Sequence, residues 1–206
     1  MIATIAIVPK LNVVILAAGL SSRLGQPKAL ARVHGRSLLQ RTLNLAAALC
    51  AANITVIIPP ASARYRGEAG HLAVTWVPNA QRKSGLSSSV RCGLRASKYY
   101  SAALLLPVDL AELKLTELQR LVSRWRAAPA RVFATRITGT PTARAGAPLI
   151  LPARFFARAV SIEGDIGLRQ LVAALPAAER TVVDLPSAQA DVDTASELEF
   201  ARRRWH

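Results

Sequence analysis

Cysteine, histidine and aromatic residues are scarce in this chain: two, three and 5% respectively. Cys50 and Cys92 are too few for a thiolate metal cluster. Their apolar, helical surroundings predict two small core residues rather than a disulfide, in keeping with a reducing compartment. His34, His71 and His206 lie without ligand spacing, which removes the usual zinc site and the usual general base. Long apolar runs are missing too. Residues 1–8 are apolar, but Pro9, Lys10 and Asn12 break the stretch. Neither a signal peptide nor a membrane span is expected, and the sequence predicts a soluble, cytoplasmic protein with no membrane partner. Acidic side chains number 12 against 27 basic ones, a net charge of +15. Only five of the 27 are lysine, and the arginines are scattered among alanines. With no stacking aromatics beside them, nucleic acid is not an expected partner. The positive field would instead speed encounter with small anions.

What is present is a chain of 206 residues, 51% of them hydrophobic, the size of one α/β domain with a full core. Its most informative stretch is residues 13–30. Val13, Val14, Ile15 and Leu16 form the continuous apolar run of a parallel strand covered on both faces. Ala17 and Ala18 bring the backbone to Gly19, which permits a turn and close approach by a ligand. Ser21 and Ser22 offer hydroxyl donors, and Arg23 a planar fork of N–H groups that matches phosphate oxygens. Lys28 adds a compact second charge. This composition suits a polyphosphate. The spacing nevertheless excludes a Walker loop, where Lys directly follows the second Gly, and Gly-x-Gly-x-x-Gly is absent.

Downstream, apolar spacing predicts a helix over 37–49, strands over 54–58 and 73–77, and a short helix or loop over 61–70, which together mean a parallel sheet with helices on both faces. Gly85 followed by Ser87, Ser88 and Ser89 opens another helix with hydroxyls and free backbone N–H groups pointing one way. A strand over 102–106 ends in Pro107-Val108-Asp109. In a doubly wound sheet of order 3-2-1-4, strands one and four flank the switch point, so Asp109 should face the loop 19–28 and can hold Mg²⁺ against phosphates. Thr116 and Gln119 suggest a capping box for a helix reaching about residue 126. A strand over 132–135, a loop over 138–147, a Gly-rich turn into a helix through Leu175 and a strand over 181–184 follow. Thr194 and Glu197 read as a second capping box, opening the terminal helix.

The pattern Leu-Ala-Ala-Gly-x-Ser-x-Arg-x-Gly-x-x-Lys over 16–28 resembles the opening signature of the MobA-like nucleotidyltransferases and, in its Ala-Ala-Gly form, of the molybdenum cofactor cytidylyltransferases. Asn79 with Gly85, Ser88 and Ser89 is similar to a second segment of that family, and Asp109 to its metal-binding Asp. Gly146-x-Pro148, Gly164-Asp165-x-Gly167-x-Arg169 and Asp191-x-Asp193-Thr194 resemble three more. The resemblance implies a three-layer αβα, doubly wound, mostly parallel Rossmann-like fold. It implies one nucleotidyltransferase domain over 1–206, nucleotide-binding over about 11–112 and acceptor-side over about 113–206. It also implies that Leu16, Ala17, Ala18, Gly19, Ser21, Arg23, Lys28, Asn79, Gly85, Ser88 and Ser89 bind a nucleoside triphosphate. Gly146, Asp165 and Arg169 would bind the acceptor, and Asp109 and Asp193 would hold Mg²⁺, with Asp193 preferred to Asp191. Arg23, Lys28 and Asp109 become the catalytic candidates. The implied reaction moves CMP from CTP to molybdopterin and releases pyrophosphate; the implied client is a molybdoenzyme or its maturation chaperone.

CTP is preferred because Ala18 stands where guanylyl enzymes of the family carry Gly, adding a methyl at the base. Sugar-phosphate nucleotidyltransferases share Ala-Ala-Gly, so a guanylyl or sugar-phosphate enzyme is the alternative. The chain also departs from the family after Asp109, where Leu110 and Ala111 replace the Gln-Pro of the cytidylyl enzymes. Loss of the amide and of the proline opens a further alternative, a non-catalytic relative that binds nucleotide or cofactor.

Overall fold

The computed structural model describes residues 8–138, 144–161 and 167–204. Strand β1 (Leu11–Leu16) is buried along its whole length. Val13 and Ile15 enter one apolar cluster and Val14 and Leu16 another, the alternation that a pleated strand imposes. After the glycine-bearing loop, the short hairpin β2 (Arg32–Val33) and β3 (Arg36–Ser37) leads into α1 (Leu38–Ala48). The Ser37 hydroxyl caps α1 by accepting from the Gln40 amide at 3.0 Å. Then come β4 (Asn53–Ile58), α2 (Ala63–Arg66), β5 (Thr75–Pro78), α3 (Leu86–Ala96) and β6 (Ala102–Pro107). The remainder comprises α4 (Leu115–Ala127), β7 (Val132–Ile137), β8 (Arg144–Pro152), α5 (Phe156–Val160), α6 (Gly167–Ala174), β9 (Arg180–Val183) and α7 (Ala195–Arg204).

One seven-stranded sheet runs β5-β4-β1-β6-β8-β7-β9. β1 pairs in parallel with β4 and β6, and β4 with β5, which is the expected 3-2-1-4 order. Only β8 is antiparallel to its neighbours β6 and β7. Leu39, Leu43, Leu118, Leu121, Trp125 and Leu198 place α1, α4 and α7 on one face. Val90, Leu94, Ala159, Leu171 and Val172 place α3, α5 and α6 on the other. The result is a three-layer α/β architecture whose winding reverses between β1 and β6, where the crevice of such a sheet opens.

Three local expectations need correction. Thr116 does not cap α4, which starts at Leu115 after Lys114 with no side-chain cap; the Glu117 carboxylate instead accepts from the Ser187 hydroxyl and amide at 2.6 and 3.1 Å. Thr116 thus falls inside the helix, past the position from which a side chain caps it. Residues 144–147 are strand rather than loop, because β8 pairs with β7 across an irregularity at Ala134/Thr135. Cys50 is exposed and is not a core residue, whereas Cys92 is partly buried and packs against the core. Cys50 takes a φ of 49° just past the end of α1, and that position points it outward. The second capping box does form: Glu197 accepts from the Thr194 amide at 2.8 Å and Thr194 Oγ1 from the Glu197 amide at 3.2 Å.

Helix α3, which carries one wall of the site, lies directly on β1. A Cβ at Gly93 would overlap Cγ1 of Val14. Gly93→Ala should therefore lower stability by up to ~2 kcal/mol: overpacking of about 1–3 kcal/mol is set against the ~1 kcal/mol that Ala gains in a helix interior. Chemical denaturation measures it, and a stabilised variant would mean that α3 is free to slide.

Candidate active site

Two stretches distant in sequence meet after β6. The Asp109 carbonyl accepts the Ala111 amide at 2.8 Å and the Val192 amide at 3.1 Å, and Leu110 forms an isolated antiparallel bridge with Asp191. Residues 191–193 are thereby laid along residues 109–110, and Asp193 arrives beside Asp109. Ala111 supplies an N–H that a proline would lack, so this turn is held by main-chain bonds without the Gln-Pro of the related enzymes.

The loop after β1 presents its cations to these acids. Lys28 Nζ donates to Asp109 Oδ2 at 3.0 Å and also to Asp193 Oδ1. Arg23 donates to Asp193 Oδ2 at 2.6 Å. The loop closes on itself through Ser21, whose hydroxyl accepts the Lys28 amide at 2.9 Å. Ser21 and Gly25 take φ values of 55° and 70°, the left-handed turns that fold Lys28 back over the crevice. Burial pulls the Lys28 ammonium down, but the charges and hydrogen bonds of Asp109 and Asp193 outweigh it and hold the pKa above the ordinary lysine value. Burial pushes Asp193 up, and the hydrogen bonds and charges of Lys28 and Arg23 overcome this and leave it low. Among the described residues Asp191 has no such hydrogen-bonded cation. Burial, then the charges of Asp109 and Asp193, push it up to about 6 against the pull of Lys28 and Arg169.

These groups line a cavity of about 500 Å³ together with Leu16, Ala17, Ala18, Gly19, Ser21, Gly85, Ser89, Gly146 and Arg169. Its volume is that of a typical small-molecule site. Thirteen of the sixteen residues singled out from the sequence thus share it. Asn79 and Ser88 do not line it. Asn79 is buried and donates to the hydroxyls of Ser88 and Ser89 at 2.9 and 3.0 Å, so it sets the wall from behind. Asp165 lies outside the described residues. Gly146 has a packing reason as well, because a Cβ there would come within 2.6 Å of Ile137 Cγ1.

Arg82, Lys83, Asp191 and the apolar side chains of Ile137, Leu168 and Val172 also line the cavity. Asp191 had been visible from its alternation with Asp193. The others carried no signal, since each depends on a neighbour remote in the chain. Gly19 has nothing within 4 Å of where a Cβ would stand. Gly19→Ala should therefore leave stability within about 0.5 kcal/mol and weaken triphosphate binding by roughly tenfold, about 1.4 kcal/mol; calorimetric titration beside a thermal melt separates the two. Unchanged affinity would place the ligand's backbone contact elsewhere.

The donor set also fits a hard divalent cation. Asp109 and Asp193 offer oxygens around a point already occupied by the Lys28 ammonium. Among the described residues no group of three or more His, Cys, Asp or Glu could hold a metal. Two carboxylates, completed by phosphate and water oxygens, are what Mg²⁺ accepts.

The sheet order and crevice define a Rossmann-like nucleotidyltransferase fold. A nucleotidyl transferase from Methanothermobacter thermautotroptrophicus superposes with a TM-score of 0.75 at 18% identity, over 94% of this chain and 96% of that one. The protein Rv0371c from Mycobacterium tuberculosis H37Rv, solved in complex with manganese, does so with a TM-score of 0.71 at 22% identity, over 95% and 98%. Residues 13–181 match the MobA-like NTP transferase domain, and the chain belongs to that family. A probable molybdenum cofactor guanylyltransferase from Trichormus variabilis is 35% identical over 128 residues, 61% of this chain. The match spans 58% of that relative's own length.

Proposed function

We propose that this chain catalyses nucleotidyl transfer to a molybdopterin-type acceptor. A terminal phosphate oxygen of the acceptor attacks the α-phosphorus of CTP, the bond from that phosphorus to the oxygen bridging the β-phosphate breaks, and pyrophosphate leaves. One observation carries the reading: the cationic loop 19–28 and the carboxylates of Asp109 and Asp193 meet in a single cavity. Gly19 lets the backbone approach the phosphates, while Arg23 and Lys28 exchange carboxylate oxygens for phosphate oxygens and neutralise charge gathering on the leaving group. Preorganised donors of this kind are each worth about 10²–10³-fold in rate, and no covalent nucleophile is required. Asp109 and Asp193 would hold a divalent ion, for which Mg²⁺ is proposed, supplying Lewis-acid charge neutralisation at the phosphates; the manganese complex of the mycobacterial neighbour supports a divalent ion in this fold. Arg169 and Gly146, on the far wall, would receive the acceptor.

Ala18 is buried and lines the cavity, and a residue larger than Gly at that position supports CTP. The printed name of the Trichormus relative favours a second reading, with GTP as donor. The reaction would run in the cytoplasm, where nucleoside triphosphates and apo-molybdoenzymes meet, with a molybdoenzyme or its chaperone as the client; no described helix is long and apolar enough to cross a membrane. Pyrophosphate release, assayed with each nucleoside triphosphate and molybdopterin, tests the proposal. We expect kcat/KM for CTP at least about tenfold above that for GTP, a difference of about 1.4 kcal/mol that one methyl clash can supply. Turnover with GTP alone would replace the base assignment. Nucleotide binding without pyrophosphate release would make the chain a carrier rather than a catalyst.

A further inference from the structure

The positive charge around the cavity is unevenly committed. Arg23 and Lys28 are both held by carboxylates, whereas among the described residues no carboxylate pairs with Arg82. Arg82 opens the short 3₁₀ turn Arg82–Ser84 ahead of Gly85, and donates to the Gly19 carbonyl at 3.2 Å. It therefore joins two segments that both line the site. Its Nε is closed off from solvent and has no acceptor among the described residues, whereas buried polar groups in native structures nearly always find one in protein, water or a bound ion. The side chain borders the main cavity and also a second hollow of about 330 Å³ beneath the glycine loop, next to Tyr65. Burial pushes the Tyr65 phenol up while the charges of Arg82 and Arg64 pull it back, which agrees with a guanidinium standing near that ring.

We propose that Arg82 binds a phosphate oxygen of the nucleoside triphosphate while it holds the Gly19 carbonyl, so that phosphate binding and the closed position of the loop are one event. This rests on the nucleotidyltransferase reading given above. A guanidinium suits the task because its five donors lie in a fixed plane, so one edge can serve the carbonyl and another the phosphate. The carbonyl would otherwise bring a partial negative charge toward the phosphates. A lysine would keep the charge and lose the two-sided geometry.

The test compares wild type, Arg82→Ala and Arg82→Lys by calorimetric titration with CTP, GTP, inorganic pyrophosphate, cytidine and guanosine, with a thermal melt of each variant. Arg82→Ala should weaken the better-bound triphosphate and pyrophosphate by about 10–100-fold, the range of a lost charge-assisted hydrogen bond, and leave the nucleosides within about twofold. Arg82→Lys should recover part of the phosphate affinity. Triphosphate affinity unchanged in Arg82→Ala overturns the proposal while leaving the nucleotidyltransferase reading intact. Equal loss for nucleosides and triphosphates also overturns it, because Arg82 would then only shape the wall. A wild-type chain that binds neither CTP nor GTP overturns both.

Discussion

Asp109→Asn should abolish pyrophosphate release, lowering kcat by about 10³-fold or more, the loss expected when a group that anchors a catalytic charge is neutralised. The substitution keeps the shape of the side chain and removes only its charge. The fold should not notice: the turn at Asp109 is held by its carbonyl, which accepts from Ala111 and Val192, and the carboxylate, a quarter exposed, bonds Lys28. The thermal midpoint should therefore fall by no more than about 3 °C, since losing one partly exposed ion pair costs about 1 kcal/mol or less. Steady-state kinetics and a melt on the same preparation settle the matter. A kcat within tenfold of wild type would mean that Asp109 does not anchor the reacting phosphates.

Lys28→Met should be nearly as damaging, with kcat lower by about 10²–10³-fold, and it carries a stability signature as well. Lys28 bridges Asp109 and Asp193, and these partly exposed pairs should contribute about 1–2 kcal/mol after solvent screening. The sign follows from the two shifts. The Asp193 pKa is held below 3.8, so its share of the stability is present above that value and fades as pH falls through the depressed one. The Lys28 pKa is held above 10.5, so its share is present below that value and fades as pH rises through the raised one. Lys28 also holds down the Asp191 pKa, itself at about 6. The variant's deficit against wild type should thus be constant only between about pH 8 and 10 and shrink on either side. Urea denaturation at pH 7 and pH 3 reads this out. A deficit of the same size at both pH values would mean that Lys28 supports the fold by packing rather than by charge.

Much of the site was legible because it lies where topology alone puts it. The unbroken apolar run at Val13–Leu16 and the one ending before Asp109 could only be buried parallel neighbours, and adjacency of their C-terminal ends followed from the 3-2-1-4 order. Asp193 was harder. Its place depends on the main-chain bridge between Leu110 and Asp191, which no side-chain pattern announces. The same limit hid Arg82, whose partner is a backbone carbonyl remote in the chain, and the bonds by which the Asn79 amide orders two serines. Local signals also misled. Thr116 lies inside α4, which begins at Leu115 and has no side-chain cap, whereas Thr194 and Glu197 formed their box. Residues 144–147 lacked a strand pattern and became strand because β7 offered a ladder.

The central claim is that the loop 19–28 and the acids after β6 enclose a triphosphate and its metal between them. Crystals grown with a non-hydrolysable CTP analogue and Mn²⁺ test it most directly, by anomalous scattering at the manganese edge. The account predicts one strong peak between the carboxylates of Asp109 and Asp193, with the phosphates against Gly19, Arg23 and Lys28. A peak at any other position, with those two carboxylates still bonded to Lys28, would contradict it.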